Sequence, residues 1–419
     1  MNNNLVIAIP IFTDQQQHFN HSNNHLSLLY IKELSKDSQM LMFNHHDTID
    51  VDNLDVLKDK TILTPNKKEL LSIYPAKTIY DINLLHWYLY NKPLDLENIR
   101  VNAIDILSNR YYNKKDINTI IPVYKHQEKC DMIASLIEQT WSERDKIDFE
   151  SYEKYNKDAP LAFYSIERNG IPVNADKVFD ILGNRTKQHL SNNKLFSDYF
   201  LYTTTGRPSN SFGGINFAAL DENKRKAIVP ENDMLVEYDY DAFHVRILAD
   251  LIDYDLPKES AHDYLAQFYG KNISYEESKN LTFKYLYGRI PIEIDQLHPF
   301  FGKVRDLINI LWNEYKAKGY IETPIYKRKI LASNFENMNK NKLLNYMIQA
   351  TETEHNINTI IELQRYLYKK KTRLILYVYD SFLIDYSEED GDQLLNDIQD
   401  ILEQTKYMVR IQKGKNYGF

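Results

Sequence analysis

Apolar positions along the chain recur with two periods, and the change of period marks out the elements. Leu5 to Ile11, Leu26 to Ile31 and Gln39 to Phe43 read as strands, while Asp81 to Tyr90 and Cys130 to Trp141 carry apolar residues at helical spacing. Residues 1 to about 140 therefore read as a small α/β unit. The polar and charged stretch Trp141 to Glu153 is the expected boundary. Ala162 to Asn174 reads as a helix stopped by Asn169-Gly170 and followed by a short extended piece. Thr203 to Asn216 is a loop of small and polar residues that holds Arg207.

The second half is patterned more strongly. Met234 to Val236 is a strand that ends near Asp239, and Phe243, Ile247 and Leu248 then follow at helical spacing. Ser274 to Gly288 is the clearest helix, with a Ser274/Glu277 capping box and Gly288 as its stop. Lys279, Phe283 and Tyr287 lie on one stripe of it. Phe300 to Lys318 is a long amphipathic helix, Gly319 to Ile330 a basic hairpin and Leu343 to Tyr366 another helix. Lys371 to Tyr386 is a β-hairpin with Asp380-Ser381 between its apolar runs, although no glycine supplies the usual turn chemistry. A strand, Met408 to Gln412, and the tail Gly414 to Phe419 close the sequence.

Composition narrows the class. A chain of 419 residues has room for about two or three domains with sizeable cores. Mean hydropathy is −0.53 and no apolar run approaches the ~18 residues of a membrane span, so no membrane association is expected. Met1-Asn-Asn-Asn lacks the basic and apolar regions of a secretion signal, and the lone Cys130 excludes an internal disulfide or a cysteine metal cluster. Both fit a cytoplasmic protein. The net charge of −8 hides local imbalance, because residues 313 to 342 hold seven Lys or Arg against three Glu. That strip reads equally as a phosphate-facing surface or a solvated charged face. The 32 tyrosines, with many Asn, Ile and Lys, suggest AT-rich codons.

A lone Asp after a strand is ordinarily a turn residue or helix cap. Two of them, Asp239 and Asp380, at the ends of what can be neighbouring strands are instead a donor set for two magnesium ions, the standard device of in-line phosphoryl transfer. The stripe Lys279, Phe283, Tyr287 can hold a triphosphate on its ammonium and stack a base on its rings; an aromatic stripe is otherwise core, but core stripes seldom include Lys. Arg207 can reach a nucleic-acid backbone, against the alternative of a plain surface loop. Asn345 and Gln349, one helical turn apart, can hydrogen-bond bases or sugars, or be a solvated pair. Asp47 to Asp50 reads as a turn.

In this order the segments resemble the family A DNA polymerases, the bacterial polymerase I type, over about residues 160 to 419. The matching pieces are Thr205-Gly206-Arg207, Asp239-Tyr240 with Arg246, Lys279-x-x-x-Phe283-x-x-x-Tyr287-Gly288, Gly319 to Thr323, Asn345-x-x-x-Gln349 and Tyr379-Asp380-Ser381, and the Gly-Lys-Asn-Tyr tail is similar too. The resemblance implies an α/β (α+β) right-hand architecture: a reduced thumb at about 160–204, a palm at 205–250 and 319–419, and fingers at about 251–318. Asp239, Asp380 and the carbonyl of Tyr240 would bind two Mg2+ ions. Lys279, Phe283, Tyr287, Tyr240 and His244 would meet the incoming deoxynucleoside triphosphate. Arg207, Asn216, Arg246, Asn345, Gln349 and Tyr379 would contact primer-template DNA.

Departures from the pattern are as informative. The family's Arg one turn before the fingers Lys is Tyr275 here, so a triphosphate contact is missing or comes from Lys271. Its Glu five residues after the first Asp, which gates the sugar, is His244, and its Glu after the second Asp is Ser381. Residues 1–140 resemble in layout the family's ribonuclease-H-like 3′-5′ exonuclease domain, with Asp81 and Tyr124-x-x-x-Glu128 at two of its acidic motifs. The first, Asp-x-Glu, is absent, so that domain is expected to be inactive. The expectation is a compact, phage-like DNA polymerase in a host cytoplasm, with a processivity or replisome partner. The rivals are a single-subunit RNA polymerase and a catalytically silent DNA-binding subunit.

Overall fold

The computed structural model describes residues 4–13, 17–33, 37–43, 51–76, 78–96, 123–210, 215–270, 272–288, 290–291, 293–294, 298–331, 338–404 and 406–419. Lys271, the Asp47 to Asp50 turn and the 211–214 part of the 203–216 loop lie outside these residues. Helices and sheets are both present, and the chain divides into two compact units. One is Met1–Tyr202 with Asn210–Asn216, and the other is Thr203–Ser209 with Phe217–Phe419.

In the first unit five strands run in the order Ser38–Met42, Leu26–Glu33, Leu5–Phe12, Thr61–Thr64, Ile79–Asp81. The first three are antiparallel, and the last two join in parallel. Leu5–Phe12 is central and almost wholly buried, as its unbroken apolar run requires. The two parallel strands were not anticipated, because three or four residues are too few to show a period.

The expected boundary near residue 140 falls inside this unit, because Phe149–Asn169 forms one helix docked on the sheet. It starts well before the expected Ala162. Asn156 on that helix accepts from the Asp81 amide at 2.8 Å and donates to the Ile79 carbonyl at 2.9 Å. Pro160 sits inside the helix and has no N–H for the Asn156 carbonyl four residues earlier. The buried Lys67 ammonium takes that carbonyl instead, at 2.6 Å. Gly170 ends the helix at φ +66, where a Cβ would stand 3.0 Å from the Phe196 ring. The residues that follow, 171–202, hold only short elements, of which the longest helix is Val178–Leu182.

The second unit is built on a four-stranded antiparallel sheet ordered Arg373–Val378, Ser381–Tyr386, Met234–Tyr240, Val409–Gly414. Its helices include Phe243–Leu251, Ala261–Tyr269, Tyr275–Tyr287, Pro299–Lys318, Lys340–Tyr366 and Gln393–Glu403. The last is fixed to the sheet by two buried phenols: Tyr238 donates to the Leu395 carbonyl and Tyr240 to that of Leu402. The basic hairpin pairs Tyr320–Glu322 with Lys329–Leu331. Its Arg328 is buried and donates to the Thr204 carbonyl, so it is not part of a phosphate-facing strip; Lys316, Lys318 and Lys327 are exposed.

Candidate functional site

Asp239 is the penultimate residue of the Met234–Tyr240 strand and stands opposite Ser381 in the ladder. The Tyr240 amide donates to the Asp380 carbonyl at 3.1 Å, so both aspartates lie at the same end of the sheet on neighbouring strands. The turn that carries Asp380 is made without glycine. Tyr379 takes a left-handed conformation, φ 60, and the Asn356 side chain holds its carbonyl at 3.0 Å and the Tyr377 hydroxyl at 3.0 Å. That conformation costs about 1–2 kcal/mol, which the buried amide bonds offset.

Both carboxyls are held above the usual carboxylate range. Burial, then the neighbouring Asp380 and Glu237, push the Asp239 carboxyl up to about 7, while Arg410 and Lys279 oppose the shift. Burial and then Glu352 raise Asp380. Two carboxylates that resist ionisation beside each other are stabilised by a hard divalent cation on oxygen donors. Tyr240 needs correcting. Its ring stacks on Phe243 at 4.2 Å and its hydroxyl is bound to Leu402, so only its main-chain carbonyl remains for the site.

A third carboxylate is present where the sequence reading did not look. Ser381 Oγ donates to Glu237 Oε1 at 2.6 Å, and the Tyr417 hydroxyl donates to the same oxygen at 2.7 Å. Glu237 is two residues before Asp239 and therefore on the same face of the strand. Its buried charge within an apolar strand was the signal.

The capping box of the Tyr275–Tyr287 helix is formed. The core-facing residues of this helix are Ser278, Thr282 and Leu286, whereas Lys279, Phe283 and Tyr287 are half-buried on another face. The stripe is thus not core. Phe283 and Tyr287 stack with centroids 5.7 Å apart and 6° between planes.

Tyr287 leads into a polar chain that crosses the unit. Its hydroxyl is bonded to His244 Nδ1, and His244 Nε2 meets Glu352 Oε2 at 2.6 Å. Glu352 Oε1 accepts from Arg207 Nη2 at 3.0 Å, and the Arg207 guanidinium lies 3.7 Å over the Tyr379 ring. A carboxylate only accepts, so Nε2 carries a proton; in a neutral ring Nδ1 then accepts from Tyr287. Glu352 is fully buried, and sequence reasoning missed it because Thr351-Glu-Thr-Glu-His355 reads as a solvated helical stretch. The available clue was its spacing. It lies seven residues after Asn345 and three after Gln349, on one helix face, where Gln349 Nε2 donates to Asn345 Oδ1 at 3.1 Å.

Arg246 does not join this group. Arg246 is 4% exposed, and its guanidinium is spent on the carbonyls of Asp241, Pro257, Lys258 and Glu259. It braces a loop and is not free for DNA. Asn216 is exposed and belongs to the first unit.

In the first unit Asp81 is buried. It accepts from the Lys67 and Leu84 amides at 2.9 and 3.0 Å and from Tyr202 at 3.2 Å, which makes it the cap of the Ile82–Tyr90 helix. Glu128 is exposed. His18, Glu167 and Asp198 come together there, but Lys68 already occupies the acids, 2.5 Å from Glu167 and 3.4 Å from Asp198. His18 Nδ1 accepts from the Asn20 amide, which leaves the proton on Nε2, the atom that faces Glu167. A metal would need that atom bare.

No family model matches the chain. It is 24% identical over 275 residues to DNA polymerase I of Synechocystis sp., a match covering 51% of this chain and 28% of the length of that protein. Among solved structures it is similar to the POL domain of Pol1 from M. smegmatis, determined in complex with DNA primer-template and dNTP. The TM-score is 0.72 at 13% identity, over 99% of this chain and 96% of that one. The fold is therefore that of this polymerase domain. No helix of the described residues is long and apolar enough to cross a membrane.

Proposed function

We propose that this protein is a template-directed DNA polymerase of family A that extends a primer 3′ end with deoxynucleoside triphosphates. The observation that carries the reading is the pair Asp239 and Asp380, half-buried at the same end of neighbouring strands, in the same unit as a half-exposed Lys279, Phe283, Tyr287 face. The fold likeness and the partial sequence match support it.

In this reading Asp239, Asp380 and the Tyr240 carbonyl would hold two magnesium ions. Bound there, the ions stabilise the attacking and leaving oxygens of an in-line displacement at the α-phosphate. Lys279 neutralises phosphate charge, the stacked Phe283 and Tyr287 rings offer a flat face to the base, and His244 stands against the sugar. Arg207 on Tyr379, with Asn345 and Gln349, meets primer and template. Residues 160–204 serve as a reduced thumb, 205–250 and 319–419 as palm, and 251–318 as fingers. The exonuclease-like residues 1–140 have lost that activity, and a processivity partner compensates for the small thumb.

Primer extension on a primed template with magnesium, run separately with deoxy- and ribonucleotides, tests this. Deoxynucleotide-dependent extension is expected. Extension with ribonucleotides alone transfers the reading to RNA synthesis, and DNA binding without extension makes the protein a silent subunit.

A further inference from the structure

The Tyr275–Tyr287 helix has a neutral Tyr275 one turn before Lys279, on the same face. A positive charge from another element stands against this position. Arg410 is on the Val409–Gly414 strand, paired directly with Asp239, so the two side chains share one face of the sheet. Its guanidinium lies 5.0 Å over the Tyr275 ring, and its Nη2 is bonded both to the Tyr275 hydroxyl and to Asp241 Oδ1. Both bonds use Nη2, and the side chain is 51% exposed, so Nε and Nη1 remain for a further acceptor. Arg410 and Lys279 both act electrostatically on Asp239 and on His262, which sits beneath the helix with its ring against Tyr275 and Phe283.

We propose that Arg410 is a second phosphate-binding cation, which grips the triphosphate of the incoming nucleotide from the sheet while Lys279 grips it from the helix. This rests on the polymerase reading above. A polyphosphate beside carboxylates needs more than one fixed positive charge, and the remaining Nε and Nη1 donors of the guanidinium can each give a separate charge-assisted hydrogen bond to a phosphate oxygen. Tyr275 serves as the platform that orients it. The competing role is a brace, in which Arg410 only ties the first turn of the helix to the sheet.

The test is nucleotide titration of primer extension, with nucleotide binding to a complex of the protein and dideoxy-terminated primer-template measured in parallel. Arg410→Gln is expected to raise both KM and Kd for the nucleotide at least about tenfold, the loss of a charge-assisted contact, with primer-template affinity unchanged. Inhibition by pyrophosphate, which carries the same phosphates, weakens in step. Arg410→Lys restores part of the affinity, and Tyr275→Arg added to Arg410→Gln restores most of it. Tyr275→Phe separates the roles: it removes the brace but keeps the cation, so nucleotide KM stays near wild type. If Tyr275→Phe reproduces the Arg410→Gln defect, or if Arg410→Gln leaves KM and Kd unchanged in a protein whose wild type extends primers, the proposal is overturned. A wild type that extends nothing refutes the polymerase reading itself.

Discussion

His244→Ala should collapse discrimination against ribonucleotides, and the structure sets the size of the effect. The imidazole is pinned from both sides, by the Tyr287 hydroxyl on Nδ1 and by the fully buried Glu352 carboxylate on Nε2. A bond to a neutral partner contributes about 0.5–1.5 kcal/mol and one to a charged partner about 1.5–3 kcal/mol. Swinging the ring aside to admit a 2′-hydroxyl therefore forfeits about 2–4.5 kcal/mol, or roughly 30- to 2,000-fold in selectivity. Removing the ring should lower the deoxy-to-ribo ratio of kcat/KM by that order, mostly through faster ribonucleotide addition. Glu352→Gln keeps the shape but makes the stronger bond neutral, a loss of about 1 kcal/mol and roughly fivefold in the same ratio. Both ratios come from single-nucleotide extension at matched template positions. An unchanged ratio in His244→Ala refutes the gate, and a Glu352→Gln variant that matches wild type refutes the claim that the carboxylate holds it.

Other consequences are open to measurement. Arg246→Ala should lower stability by about 1–3 kcal/mol, because it strands the buried Asp241 carbonyl and frees three partly buried ones, while DNA affinity at low temperature stays unchanged; a loss of affinity without a lower Tm would restore its expected DNA role. Asp81→Asn should leave extension intact, and neither it nor wild type should degrade a mismatched 3′ end. Burial raises the Asp81 carboxyl to about 6, against about 4 when unfolded. The folded state thus binds the extra proton, so stability falls as pH rises from about 4 to about 6 and then levels; Asp81→Asn should flatten that slope in thermal melts. With only short elements between Ile171 and Tyr202, single-encounter products at physiological salt should be short, and long products without a partner protein would contradict the reduced thumb.

The sequence carried the site's positive elements because each is a local pattern. A strand end, a capped helix and a charged stripe can be read from neighbours a few residues apart, and Asp239, Asp380, Lys279, Phe283 and Tyr287 all stand in such patterns. What it did not carry was where displaced charges went. Three of the departures noted in the sequence have an acidic or basic neighbour from another element: Glu237 beside Ser381, Glu352 beside His244 and Arg410 beside Tyr275. Those pairings span 144, 108 and 135 residues, and no local period reports them. Arg246 failed in the opposite sense, since a motif position does not reveal that four carbonyls surround it. The boundary near residue 140 failed because a polar linker composition says nothing of Asn156 and Tyr152 docking onto the strand at Asp81.

The most direct test of the central claim is primer extension by Asp239→Ala and Asp380→Ala with magnesium, beside their affinity for primer-template. Loss of one carboxylate from a two-cation site should raise the barrier by at least ~3 kcal/mol, so each variant should fall below about one hundredth of the wild-type rate while still binding DNA. Either variant extending faster than that, with its fold and DNA binding intact, would contradict the assignment of the two aspartates.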